Sequence, residues 1–245
     1  MTALPAQANR LQIAPRDTWL VFGLSLLVVV LCVVSLVVGR VPLAFLSTLQ
    51  EVFAGERSTD ALILSEIRVP RAILAALVGA TLGGAGAAMQ GLLRNPLAEP
   101  GILGVSASAG LGAVIVLYFG IAQTFSFALP IAGTVGALTA VLLTYVLSGR
   151  DARILTLILA GVALNAFAAA LTSLALNLAP SPYAALEIVF WLLGSLADRS
   201  FEHVGIALPL MLLGGALFIR TGRALDALSL GEDVARSLGI NLRVV

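Results

Sequence analysis

"MQGLLRNPLAEPGILGVS", residues 89–106, interrupts a chain that is otherwise strongly apolar. One glycine-rich apolar run enters the stretch and another leaves it. Between them stand Arg94, Asn95, Pro96, Glu99, Pro100, Gly101 and Gly104. Each proline removes a backbone donor and biases the preceding residue, Asn95 or Glu99, away from helix. Gly101 and Gly104 permit tight backbone where the next helix starts. Asn95 or Glu99 can cap that helix or favour its positive end. The punctuation therefore predicts a rigid, folded connection. Irregular backbone near a membrane is tolerated where it is buried in protein or lines a cavity. Asn95, Pro96, Leu97 and Pro100 are accordingly read as part of a translocation route or its gate.

The composition places this stretch in a membrane. Hydrophobic residues make up 60% of the 245, charged residues 11%, and the mean hydropathy is +1.06. A soluble domain has about a quarter charged residues and about half apolar ones. Most of this chain must face lipid. A net charge of +1 without any block of like charge gives no reason to expect nucleic acid. All 14 basic residues are arginine, which excludes a Walker A loop and Schiff-base chemistry, both of which need lysine. Cys32 is alone in an apolar run and is read as a small packing or lipid-facing residue.

Working outward from the quoted stretch, runs of about 20 apolar residues, long enough for a hydrocarbon core of roughly 30 Å, predict six spans. They cover about 19–38, 72–93, 101–121, 125–147, 154–178 and 204–219. The segment 41–56 has amphipathic spacing and is expected along the surface. The stretch 188–196 is too short to span and is read as re-entrant or interfacial. The expectation is an all-α, polytopic transmembrane helical bundle over residues 18–219. A cytoplasmic tail (1–17) precedes it and a cytoplasmic segment (220–245) follows.

Arginine distribution sets the orientation. With the N-terminus inside, Arg10, Arg16, Arg94, Arg150, Arg153, Arg220, Arg223, Arg236 and Arg243 are internal. Arg40, Arg57, Arg68, Arg71 and Arg199 are external. The quoted loop and the C-terminal segment then both face the cytoplasm.

Small residues recur at helical spacing in "GATLGGAGAAMQG" (79–91), "SASAGLGA" (106–113) and "AGTVGA" (132–137). They are read as packing faces through which helix backbones approach closely in lipid. Asn165, mid-span, is either an interhelical hydrogen-bonding residue or part of the path's lining. "LDALSLGEDVARSLGIN" (225–241) has the apolar spacing of a short amphipathic helix, broken at Gly231, with Glu232 and Asp233 suited to a helix start.

These stretches carry a resemblance. "RVPR" (68–71), the glycine-rich helix, "MQGLLRNPLAEPGILGVSASAG" and "LSLGEDVARSLGIN" are similar to the FecCD/BtuC-like permease family. Its members are the membrane subunits of type II ABC importers for iron-siderophore complexes, haem or cobalamin. The resemblance implies a subunit of about ten helices that pairs with a second copy or a homologous permease. A cytoplasmic ABC ATPase drives it, and an extracytoplasmic binding protein delivers the ligand. Six predicted spans leave a C-terminal part still expected beyond Val245.

The resemblance also implies roles. Leu228, Leu230, Gly231, Glu232, Ala235, Leu238 and Gly239 would form the coupling segment that docks on the ATPase; a helix lying on lipid is the alternative. Arg68 and Arg71 would meet acids of the binding protein, with snorkelling to the interface as the alternative. The first-choice cargo is an iron-siderophore, with haem and cobalamin after it.

No His/Cys/carboxylate set has metal-ligand spacing, so neither a resident metal nor a cofactor is expected, and iron would travel inside its chelate. A remote alternative, an intramembrane enzyme, would need a buried nucleophile with a base. The lone His203 falls at a span end, so no catalytic residue is assigned. The protein is read as a transport subunit of the inner membrane, not as an enzyme.

Overall fold

A computed structural model describes residues 15–39, 41–125, 127–149 and 154–240. The tail before Pro15 lies outside the described residues. So do Arg10, Arg40, Arg150, Arg153 and Arg243, on which the sidedness partly rests, and the side chains of Arg16, Glu232 and Asp233.

Five helices among the described residues are long and apolar enough to cross a membrane: Asp17–Val37, Thr59–Leu93, Ala128–Ser148, Ile154–Asn177 and Phe201–Ser229. The elements are α1 (Pro15–Val37), α2 (Phe45–Ala54), α3 (Thr59–Leu62), a π turn (Ile63–Arg68), α4 (Val69–Leu93) and a 3₁₀ turn (Pro100–Leu103). Then follow α5 (Val105–Tyr118), α6 (Ala128–Ser148), α7 (Ile154–Asn177), α8 (Pro182–Leu192), α9 (Phe201–Ser229) and α10 (Glu232–Ser237). The fold is the expected all-α transmembrane bundle. Two compact units divide it: Met1–Val78 with Leu196–Ala207, and Gly79–Ser195 with Leu208–Val245.

In the first unit α1 is apolar on every face, and none of its spanning window is buried within the chain. A helix with that character belongs in lipid or against other membrane helices. The predicted surface helix 41–56 is found as α2, closed by the left-handed Gly55. The span expected at 72–93 begins earlier, because α3, the π turn and α4 run on as one 35-residue helical stretch from Thr59.

The second unit is built around α5. Val114 and Ile188 are fully buried, and Leu117, Leu129, Leu176 and Trp191 pack round them. The small-residue stripes of α5 and α6 interdigitate as expected. A β-carbon on Gly112 would collide with the Ala132 carbonyl, and one on Gly136 with the Ser108 carbonyl. By contrast, Gly79 and Gly83 of α4 face open space; that helix instead brings Gly84 toward Phe218 and Gly91 toward Leu225.

The third predicted span needs correction. Residues 101–121 do not form one continuous helix; α5 has 14 residues, roughly 21 Å at 1.5 Å per residue. The reason lies just before it. The chain turns through Pro100–Leu103 and a left-handed Gly104, so helix starts only at Val105. Residues 225–229 also differ from expectation, since they are the last turns of α9 and not the start of a separate helix. The stretch read as 188–196 is found as α8, ending at Leu192.

Candidate gate and docking sites

The loop between α4 and α5 is ordered by its own backbone. Arg94 takes φ +50°, and the Asn95 N–H donates to the Gln90 carbonyl at 3.2 Å. The Asn95 side chain turns forward, and its Oδ1 accepts the Leu97 N–H at 2.9 Å. Its carbonyl accepts the Ala98 N–H at 3.1 Å. Asn95 is therefore an Asx-turn residue and not a helix cap. Glu99 precedes the 3₁₀ turn in extended geometry without a capping bond from its side chain. Ala98 is buried, whereas Leu97 beside it is 86% exposed. The Asx turn and the flanking prolines present Leu97 outward on a constrained backbone.

After Pro100 the chain lies directly on α7. A β-carbon on Gly161 would stand 2.6 Å from Leu103 Cα, and one on Gly104 would stand 2.9 Å from the Asn165 nitrogen. Non-helical backbone is thus covered by protein partway along a spanning helix, which is where lipid tolerates it. Asn165 is brought beside this contact through its backbone, while its side chain is exposed within the chain.

The C-terminal motif closes on the same loop. Ala227, Leu228 and Ala235 form a buried cluster against Leu92 and Ile240. A β-carbon on Gly231 would lie 3.8 Å from Arg94 Nη1. Gly231 itself has φ 122° and ψ 152°, a region open essentially to glycine alone. Gly239, at φ 80°, ends α10, with the Ile240 N–H on the Ala235 carbonyl and the Gly239 N–H on the Arg236 carbonyl. The predicted coupling residues separate by direction. Leu228 and Ala235 point inward and hold the segment, while Leu230, 68% exposed, and Leu238 point outward. The sequence motifs did not reveal that Arg94 and Leu92 join the two segments, because the spacing of either motif is silent about the other.

Arg68 departs most from the sequence reading. It is 3% exposed, and its guanidinium donates to the Leu36 and Val37 carbonyls at 2.8 and 2.7 Å and to the Val41 carbonyl. Arg71, half-buried, donates to the Ser35 carbonyl at 3.0 Å. Glu66, two residues before Arg68, is exposed. In this arrangement the Arg68 guanidinium is turned onto backbone carbonyls of its own chain. A pair of arginines immediately flanking Val69-Pro70 gives no signal of which carbonyls they reach.

His203 lies in the first turn of α9, with Nδ1 3.1 Å from Ser200 Oγ and Nε2 3.3 Å from Arg199 Nη1. This is a local helix-start arrangement. Among the described residues no group of three or more His, Cys, Asp or Glu is placed to hold a metal.

Residues 26–245 match the FecCD transport family. The chain is 45% identical over 186 residues to the uncharacterized ABC transporter permease protein YvrB of Bacillus subtilis, covering 74% of this chain and 52% of that one. It is 39% identical to the ferric enterobactin transport system permease protein FepD of Escherichia coli, over 89% of this chain and 65% of the relative. The vitamin B12 import system permease protein BtuC of Vibrio cholerae is 35% identical over 94% of this chain and 66% of its own length. The chain thus spans about half to two thirds of the length of these curated relatives. A solved inward-facing structure of a transporter described as metal-chelate ABC type superposes with a TM-score of 0.78 at 30% identity, covering 92% of this chain and 69% of that one.

Proposed function

The chain belongs to the FecCD transport family, and on that premise we propose that it is the permease subunit of an ABC importer carrying an iron-siderophore across the cytoplasmic membrane. The observation that carries the reading is the junction of the two motifs. The C-terminal segment packs on the end of α4 through Leu92, and Gly231 adjoins Arg94, from which the loop holding Leu97 begins. A push on the exposed Leu230 and Leu238 has a packed route to that loop. ATP hydrolysis belongs in this reading to a cytoplasmic ABC ATPase docked on residues 228–239. Leu97 plugs the cytoplasmic exit, and Asn165 lines the path above it.

The subunit pairs with a second copy or a homologous permease, has its N-terminus in the cytoplasm, and receives cargo from an extracytoplasmic binding protein. The ferric enterobactin permease among its relatives supports an iron chelate. The vitamin B12 permease makes cobalamin the alternative of the same chemical class, a bulky chelate with its metal enclosed.

Uptake by whole cells tests the cargo. A strain lacking this gene should lose uptake of a labelled ferric siderophore and regain it on complementation. Unchanged ferric siderophore uptake with lost cobalamin uptake would replace the cargo assignment.

A further inference from the structure

The last turn of α1 poses a chemical problem that the RVPR arginines solve. An α-helix leaves its final four carbonyls without intrahelical donors. Here the Val38 N–H reaches the Val34 carbonyl at 2.8 Å, and among the described residues no backbone N–H reaches Ser35, Leu36 or Val37. They sit at the end of a strongly apolar helix, where unsatisfied carbonyls are costly. Arg71 takes Ser35, and Arg68 takes Leu36, Val37 and, beyond the helix, Val41. Two cations at the negative end of the helix dipole are also electrostatically favoured.

Two further features fit this use of Arg68. The helical stretch from Thr59 changes to π geometry over Ile63–Arg68, and such a change alters the direction in which the following side chains point. The chain leaving α1 carries a glycine where the guanidinium lies. A β-carbon on Gly39 would stand 2.6 Å from Arg68 Nη2 and 2.8 Å from its Cζ.

We infer that Arg68 is a positioning residue that clasps the C-terminal end of the first spanning helix, leaving Arg71 alone as the arginine of this motif able to face a partner. Arg68 acts within the chain, fixing where α1 stops and where the segment toward α2 sets out. A planar, five-donor fork bridges three carbonyls, which the point charge of lysine does not reproduce. The inference stands whether or not a binding protein docks here, so its failure would be distinct from failure of the transport reading.

Arginine-directed chemistry tests it on the full protein in detergent. Phenylglyoxal modification is followed by peptide mass mapping, with the exposed Arg57 as internal standard. Arg68 should be protected while Arg57 reacts, and Arg71 should be intermediate. Gly39→Ala, which leaves every arginine in place, should raise the reactivity of Arg68 toward that of Arg57. If Arg68 of the unaltered protein reacts as fast as Arg57, the guanidinium is presented outward and the clasp is refuted without recourse to any variant. Continued protection of Arg68 in folded Gly39→Ala protein would equally contradict the placement.

Discussion

Gly104 and Gly161 meet backbone to backbone: a β-carbon on Gly104 would stand 2.8 Å from the Gly161 carbonyl oxygen. A β-carbon on Gly161 would in turn press on Ile102 and Leu103 backbone atoms, which cannot rotate aside as a side chain would. Gly161→Ala should therefore destabilise the protein by about 1–3 kcal/mol, the usual cost of overpacking. Gly214 of α9 has nothing within 4 Å of its would-be β-carbon. Gly214→Ala should be neutral or stabilising by up to about 1 kcal/mol, because alanine loses less backbone entropy in a helix. Thermal unfolding in detergent checks both, and equal responses would mean that the contact at Gly161 is not maintained.

Leu97 projects from a constrained turn with 86% of its surface exposed, so its truncation removes volume without opening a cavity in the core. Leu97→Ala should leave folding intact and let reconstituted vesicles of the complete transporter leak cargo without ATP. Pro96→Ala should instead lower coupled transport, since the backbone restraint is what is lost. Tight vesicles with normal transport for Leu97→Ala would make the loop a connector only.

Much of this loop was legible because proline and glycine act locally. Their effect on the backbone is nearly independent of what surrounds them, so a rigid connection before a helix start followed from the sequence. The spanning helices were legible for a similar reason, since lipid demands long apolar runs. What was hidden depends on neighbours distant in sequence. The shortening of α5 follows from the seating of residues 100–104 on Gly161, and nothing in the run 101–121 announces that partner. Arg68 reads as an exposed cation until the carbonyls of α1 come beside it. Arg94 counted only as a cytoplasmic charge until the chain folded Gly231 against it.

Gly231 holds backbone geometry that a side chain strains by about 1–3 kcal/mol, and it adjoins Arg94. Gly231→Leu should leave the protein in the membrane while uncoupling ATP hydrolysis from transport. Comparing ligand-stimulated hydrolysis with uptake in the same vesicles measures this. Preservation of both would remove the segment from the coupling route.

Sidedness is tested by labelling with a membrane-impermeant maleimide in a Cys32→Ser background. Glu56 and Ser229 are both exposed and flank helices whose ends the arginine distribution assigns to opposite sides. Glu56→Cys should react from outside intact cells and Ser229→Cys only after the membrane is opened. The same sidedness for both would overturn the topology.

The central claim, that this chain is the membrane half of an ATP-driven importer, is tested most directly by co-purification. The tagged protein is extracted in mild detergent from its native membranes, and associated proteins are identified by mass spectrometry. The account predicts a stoichiometric ABC ATPase that is lost when the outward-facing Leu230 and Leu238 are both replaced by aspartate, with the folded permease still recovered. An ATPase retained unchanged by that double variant, or a permease that purifies with no ATPase, would contradict it.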